Sequence, residues 1–271
     1  MAEKSGNRKC PDAHNVALLT KRPPSPRLAT DAAIGYAPHM PETNALPKVP
    51  PNGHDYSNDP AARRAEWFRY YSDKRIGQQW FQLHLLDGLD IQRVLEVGPN
   101  LGLVSALLVN AGFTVSTFDV LPSQDPRPDI PHIQGDLTKI DATKLAGHDA
   151  IICCETLEHL PWDQVEGVLA MFRTAGPRYL VISVPYTGFQ IDWRLYLNAV
   201  TLRHKFSFKK LNFLRRYKID QSDPWGHKWE AGYRGHGLAA LEQKIGAAGW
   251  HIERRDFTTP TRSVFYLLRP E

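Results

Sequence analysis

At 271 residues and 42% apolar content the chain can bury one substantial core, and a net charge of +4 is too small to mark it as a general polyanion binder. No apolar run is long enough to cross a membrane, and no apolar secretory core lies near the start, so a cytoplasmic protein is expected. Three cysteines, Cys10, Cys153 and Cys154, exclude a disulfide scaffold, and no Cys and His cluster has ligand spacing, so no metal is expected.

Residues 1–58 hold about half of the 21 prolines, including Pro23-Pro24-Ser25-Pro26 and Pro47-Lys48-Val49-Pro50-Pro51, without a sustained hydrophobic period. Such a composition predicts a disordered tail followed by a folded domain over 59–271. Asp59-Pro60 to Arg75, with Trp67, Phe68, Tyr70 and Tyr71, reads as a first helix, and Gln78 to Leu86 as a second. Both are expected to cover a cleft, with Tyr70 or Tyr71 closing over it.

Strands follow at Arg93–Val97, Thr114–Phe118, His132–Gln134, Ala150–Cys154 and Tyr179–Val184. Helices are expected at Leu101–Asn110, stopped by Ala111-Gly112, and at Trp162–Thr174. Near the end, Leu238–Ala248 reads as a helix stopped by Gly249, and His251–Phe257 and Ser263–Leu268 as a strand pair. Alternating strands and helices predict an α/β domain with a doubly wound, mostly parallel sheet of seven strands. Cys153 and Cys154 are adjacent on one strand, so their side chains point to opposite faces and do not pair.

The most informative stretch is Val94 to Leu108, an apolar strand that breaks at Gly98-Pro99-Asn100-Leu101-Gly102 and resumes as a helix. Ligands bind at the carboxyl ends of such strands, and Gly98 and Gly102 allow close backbone approach. A dinucleotide fingerprint requires Gly-x-Gly-x-x-Gly, which is not present here, so a nicotinamide cofactor is disfavoured. Asp119, followed by Val120, ends the second strand and suits a ribose diol; its other reading is a solvated turn acid before Leu121-Pro122. Asp136 either accepts from an adenine amino group, with Leu137 packed nearby, or caps a turn.

Four blocks together resemble the class I S-adenosylmethionine-dependent methyltransferases, in their small-molecule branch: Glu96-Val97-Gly98-Pro99-Asn100-Leu101-Gly102, Val115 to Asp119, Gly135-Asp136-Leu137, and Asp149 to Pro161. The resemblance covers Arg93 to the C-terminus. It implies a Rossmann-like sheet whose last strand is antiparallel, S-adenosyl-L-methionine as cofactor, and contributions from Cys154 and Glu155 at the end of the fourth strand. Asn100 departs from the family pattern by replacing a middle glycine. Asparagine enters the left-handed region at little cost, so the turn is expected to survive. Glu96 is expected to organise the methionine end.

The segment between Tyr186 and His236 is expected to be a helical lid, spanning about 187–236, that selects the substrate. Between Gly188 and Lys218 it carries eight Lys or Arg against Asp192 alone, so the rest of the chain is net acidic. Trp193, Tyr196, Leu197 and Val200 fall on one helical face, and Phe206, Phe208, Phe213 and Tyr217 are interleaved with Lys209, Lys210, Arg215 and Arg216. The pattern fits a lid packed on the core, a grip on an anionic small molecule, or a surface for an anionic membrane. Nucleic acid is disfavoured because no RNA-binding module accompanies the basic and aromatic residues.

Methyl transfer from a sulfonium needs an aligned acceptor and, where necessary, removal of its proton. His159 is the leading general base, although tying down its loop is the stronger reading of this histidine; Tyr186 and His227 are the next candidates. The sequence therefore predicts a methyltransferase acting on an oxygen or nitrogen of a small or lipid-like metabolite. The alternative is a non-catalytic cofactor-binding subunit that docks on a protein or an anionic membrane through its basic insertion.

Overall fold

Arg93–Val97 forms β1, whose apolar side chains are buried on both faces because helices cover both sides of the sheet. A computed structural model describes residues 59–123, 127, 129–209, 212–223 and 225–271, all within the unit Pro47–Glu271. The tail expected over 1–58, Cys10 and Lys210 lie outside the described residues.

Strand β1 pairs in parallel with β2 (Thr114–Asp119) on one side and β4 (Ala150–Cys154) on the other. Strand β3 (His132–Gln134) extends the sheet beyond β2, and β5 (Tyr179–Pro185) extends it beyond β4. Two further strands of the main sheet, β8 (Trp250–Phe257) and β9 (Ser263–Pro270), come from the C-terminal end. β9 runs antiparallel between β5 and β8, giving the order β3-β2-β1-β4-β5-β9-β8. The sheet therefore has the seven strands and the antiparallel last strand expected from the sequence.

Alternate residues of each strand feed two cores. Leu95, Ile151, Cys153 and Ile182 pack with Val165, Leu169 and Phe172 of α4 (Val165–Ala175) and with Leu241 and Ile245 of α5 (Leu238–Ala247). Val94, Ile152, Cys154 and Val181 pack on the opposite side with Leu83 of α2 (Asp73–His84) and with Val104 and Leu108 of α3 (Leu103–Asn110). Cys153 and Cys154 are thus free thiols on opposite faces, and burial holds both in the protonated form.

Helix α1 (Pro60–Tyr70) begins where Asp59 Oδ1 accepts from the amides of Ala61 and Ala62 at 3.0 and 2.9 Å. It ends before the expected Arg75, because Tyr71 is extended and Ser72 starts α2. Helix α4 starts at Val165 rather than Trp162, after a turn in which the Gln164 amide donates to the Pro161 carbonyl. Gly176, with φ 81°, stops it. No helix among the described residues is long and apolar enough to cross a membrane.

Among the described residues the insertion forms no helix, so the expected helical lid is replaced by a different element. Gln190–Leu197 (β6) and Leu202–Lys209 (β7) form a two-stranded antiparallel hairpin. The period that governs is two rather than 3.6: Ile191, Trp193, Leu195 and Leu197 alternate with more polar residues and face Phe208, Phe206, His204 and Leu202 across the ladder. Asn198 fixes the turn, its side-chain oxygen accepting from the amides of Val200 and Thr201 at 2.9 and 2.7 Å. Apart from His204, which is also exposed, every residue of this alternating row is apolar and more than half exposed, Trp193 at 68% and Leu197 at 71%.

Candidate functional site

The carboxyl ends of β1, β2 and β4 open into one cavity of about 890 Å³. At the end of β1 the chain turns sharply through Gly98, Asn100 and Gly102, whose φ values are 72°, 49° and 80°. Asn100 therefore takes the left-handed conformation expected of it. A Cβ on Gly98 would stand 2.6 Å from Thr156 Oγ1, so only glycine fits against the β4 exit. The Gly98 amide donates to the Phe118 carbonyl at 2.9 Å, tying this turn to β2.

Glu96 is buried in the last turn of β1, and its carboxylate accepts from the Ser105 hydroxyl of α3. Asp119 closes β2, where Oδ1 accepts from the Leu121 amide at 3.0 Å. Burial raises the pKa of its carboxyl group, against the pull of the Leu121 and Val120 amides and of His132. Asp136 faces the same cavity, but its Oδ1 accepts from the amide and hydroxyl of Thr138 at 3.0 and 2.7 Å. Oδ2 lies 2.7 Å from Lys139 Nζ, and these partners, Lys139 foremost, hold the carboxyl at about 2. The capping arrangement and the cavity position thus coexist at this residue. Leu137 is buried beside it.

Cys154 and Glu155 border the cavity at the β4 exit. Glu155 adopts φ 52°, and its Oε1 accepts from Ser183 Oγ at 2.8 Å. Burial raises its pKa. Thr156 Oγ1 donates to the Cys154 carbonyl at 3.1 Å and approaches the Val97 carbonyl at 3.4 Å, so it joins the ends of β4 and β1.

His159 closes the short 3-10 turn Leu157–His159, and its Nδ1 lies 2.6 Å from the Trp225 carbonyl oxygen. Burial and the neighbouring His227 lower its pKa, which favours the neutral ring. The two imidazole rings sit 5.0 Å apart. His227 Nδ1 lies 2.9 Å from Glu230 Oε1. Tyr186 leaves β5 and packs against Phe257, with ring centroids 5.3 Å apart.

All three residues predicted as catalytic, together with Glu96, Gly98, Pro99, Asn100, Asp119, Val120, Asp136, Leu137, Cys154 and Glu155, border this one cavity. Gly102 does not; it caps α3, and its carbonyl accepts from Arg127 at 3.2 Å. The helical cover expected from the sequence is present, but its lining residues Arg75, Gln78 and Gln82 of α2 were missed as site residues, and so was Arg262. Tyr70 does border the cavity, with the Arg75 guanidinium 3.8 Å from its ring centroid. Also missed was Glu158, which is fully buried and whose pKa burial raises well above the carboxylate range. Its place beside His159 at the β4 exit was the available signal.

No family model matches the chain, and no curated protein does. Among solved structures, the methyltransferase domain of bacterial CtHen1-C superposes with a TM-score of 0.51 at 14% identity, covering 73% of this chain and 99% of that one. An S-adenosylmethionine-dependent methyltransferase from Clostridium acetobutylicum gives 0.49 at 9% identity, covering 79% and 98%. The Burkholderia thailandensis 1,6-didemethyltoxoflavin-N1-methyltransferase, solved with S-adenosylhomocysteine, gives 0.46 at 16% identity, covering 84% and 93%. With the strand order, the antiparallel seventh strand and the superposition on the first of these structures, this chain has the fold of the class I S-adenosylmethionine-dependent methyltransferases.

Proposed function

We propose that the protein is a methyltransferase that binds S-adenosyl-L-methionine and methylates an oxygen or nitrogen of a small or lipid-like acceptor. The observation that carries this reading is one cavity at the carboxyl ends of the strands that gathers Glu96, Gly98 and Asp119 together with His159, Tyr186 and His227. About 890 Å³ is room for a nucleoside cofactor and a modest acceptor together.

The donor set fits the cofactor. Asp119 is a half-buried carboxylate able to accept from the ribose hydroxyls, and the left-handed turn at Gly98 lets the backbone approach the methionine end beside Glu96. The cofactor supplies an electrophilic methyl group on a sulfonium. The chain's own contribution is alignment: α2 covers the cavity, the β1 and β4 exits fix its floor, and the imidazoles receive the acceptor. His159 and His227 hold their Nδ1 atoms on fixed acceptors, which leaves an Nε2 lone pair on each ring where the acceptor's proton has to leave.

The hairpin favours the lipid-facing form of this reading. Its exposed apolar row suits the acyl boundary of a bilayer, while Arg194, Arg203 and Lys205 suit anionic headgroups. Calorimetric titration of the purified chain with S-adenosylmethionine and S-adenosylhomocysteine tests the proposal. Micromolar binding of both, lost in Asp119→Ala, is the expected result. Absence of binding overturns it; binding without methyl transfer to any acceptor leaves the cofactor-binding docking subunit.

A further inference from the structure

A second cavity, of about 570 Å³, shares no lining residue with the first. Its charge is of one sign: Arg216, Lys228 and Arg234 line it, and no Asp or Glu does. A concave surface with fixed charges of one sign concentrates ligands of the other. Among the described residues neither Arg216 nor Arg234 has an ion-pair partner. The carboxylates of the neighbouring segments are engaged elsewhere. Glu230 Oε1 lies 2.9 Å from His227 Nδ1, Glu166 pairs with Lys244 at 3.6 Å, and Asp220 Oδ1 accepts from the amide and hydroxyl of Ser222 at 2.9 and 2.6 Å.

Aromatic rings complete the cavity. Trp162 packs against Trp229 and His236, with ring centroids 4.7 and 4.9 Å away, and Tyr217 meets Tyr233 edge-on at 5.2 Å. Rings braced by other rings are preformed walls for an organic group, and the guanidinium fork matches paired phosphate oxygens. The volume is that of a small-molecule site, larger than a bare inorganic ion needs.

A thin partition separates the two cavities. Glu158, His159 and Leu160 line the first, whereas the next residues, Pro161 and Trp162, line the second; likewise His227 lines the first and Lys228 the second. The Lys228 amide donates to the Glu158 carbonyl at 2.7 Å, and the Trp229 indole N–H to the Leu160 carbonyl at 3.1 Å, which fastens the two segments together. A ligand held by Lys228 is therefore kept apart from anything bound beside Asp119.

We propose that Arg216, Lys228 and Arg234 bind the phosphate of a phosphomonoester or diphosphate whose organic part lies against Trp162 and Tyr217. This second site stands whether or not the chain transfers methyl groups. Its ligand chemistry has two sources, a soluble phosphorylated metabolite and the headgroup of a phospholipid.

Calorimetric titration of the full chain with sodium pyrophosphate tests the soluble source. Sedimentation with phosphatidylcholine vesicles, with and without phosphatidic acid, tests the headgroup. Saturable binding is expected in at least one arm, weakened roughly tenfold in the double variant Arg216→Ala, Arg234→Ala. Both positions are exposed, so the variant folds. Binding is expected to be unchanged in Asp119→Ala and in Arg64→Ala, Lys74→Ala, which removes the same charge from exposed positions outside both cavities. Pyrophosphate binding that depends on the two arginines identifies a soluble ligand; arginine-dependent sedimentation without it identifies a headgroup. No binding in either arm, binding in which the two arginines play no part, or equal loss in the charge-matched variant overturns the proposal.

Discussion

The side-chain amide of Gln78, on α2, donates to Ser263 Oγ, at the start of β9, across 2.8 Å and 185 residues of sequence. Both residues are buried. The bond fastens the helical cover of the cavity to the sheet beneath it, next to the Glu155 carboxylate. Gln78→Ala removes a buried hydrogen-bond partner of both Ser263 and the Glu155 carboxylate and is expected to cost about 1–3 kcal/mol, read from urea denaturation, and to weaken cofactor binding. An unchanged denaturation midpoint would show that the cover does not depend on this bond.

Gly98→Ala is expected to be damaging out of proportion to its size. Its φ of 72° is unfavourable for alanine, and the added Cβ would stand 2.6 Å from Thr156 Oγ1. A loss of about 1–3 kcal/mol is expected in thermal or chemical unfolding, with cofactor affinity reduced at least tenfold. Wild-type affinity in a folded variant would separate this turn from the cofactor site.

Cofactor affinity should depend on pH through Asp119. In the proposed complex the ribose hydroxyls donate to the ionised carboxylate, and burial raises its pKa above the usual 3.8. Binding therefore weakens as pH falls through a midpoint higher than that of an ordinary aspartate. Asp119→Asn is expected to bind weakly and to lack this midpoint. Calorimetric affinities across an acidic pH series, in both proteins, check the sign.

Asp149 governs stability in acid instead. Its Oδ2 accepts from the amides of Gln92 and Arg93 at 2.9 and 2.8 Å, and these bonds lower its pKa. A lowered folded-state pKa gives stability that is present above the unfolded value, about 3.9, and is lost as pH falls through the folded one. Asp149→Ala is expected to destabilise the protein at neutral pH and to flatten the loss of stability below about pH 4. Parallel acid-unfolding curves for the two proteins would refute this.

The hairpin predicts a change in binding without a change in stability. Trp193 and Phe206 are cross-strand partners, exposed by 68% and 61%. The double substitution Trp193→Ser, Phe206→Ser should shift stability by no more than about 0.5 kcal/mol per site. Sedimentation with vesicles rich in phosphatidylserine should fall sharply. Equal sedimentation of the two proteins would leave the lipid-facing reading without support.

The main sheet was legible at its centre because β1, β4 and β5 are short apolar runs bounded by glycine, proline or a charged turn; Arg93–Val97, His132–Gln134 and Ala150–Cys154 carry the same bounds in sequence and structure. The β1 turn was legible for a related reason. Glycine, and asparagine to a lesser degree, betray left-handed backbone at Gly98, Asn100 and Gly102. The hairpin was not legible, since Trp193, Leu197 and Val200 satisfy a helical spacing almost as well as the alternation of Ile191, Trp193, Leu195 and Leu197. Only pairing with the second strand, fixed by the turn at Asn198, chose between the two periods. The imidazole cluster lay further still from the sequence. His159 and Trp225 are 66 residues apart, and a glutamate in a loop gives no sign that it will be buried. Local residue chemistry determined the elements and the turn conformations, because backbone preference and hydrophobic period act over a few residues. Tertiary packing alone decided which distant side chains share the cavity, and with them the burial that raises the pKa of Asp119 and lowers that of His159.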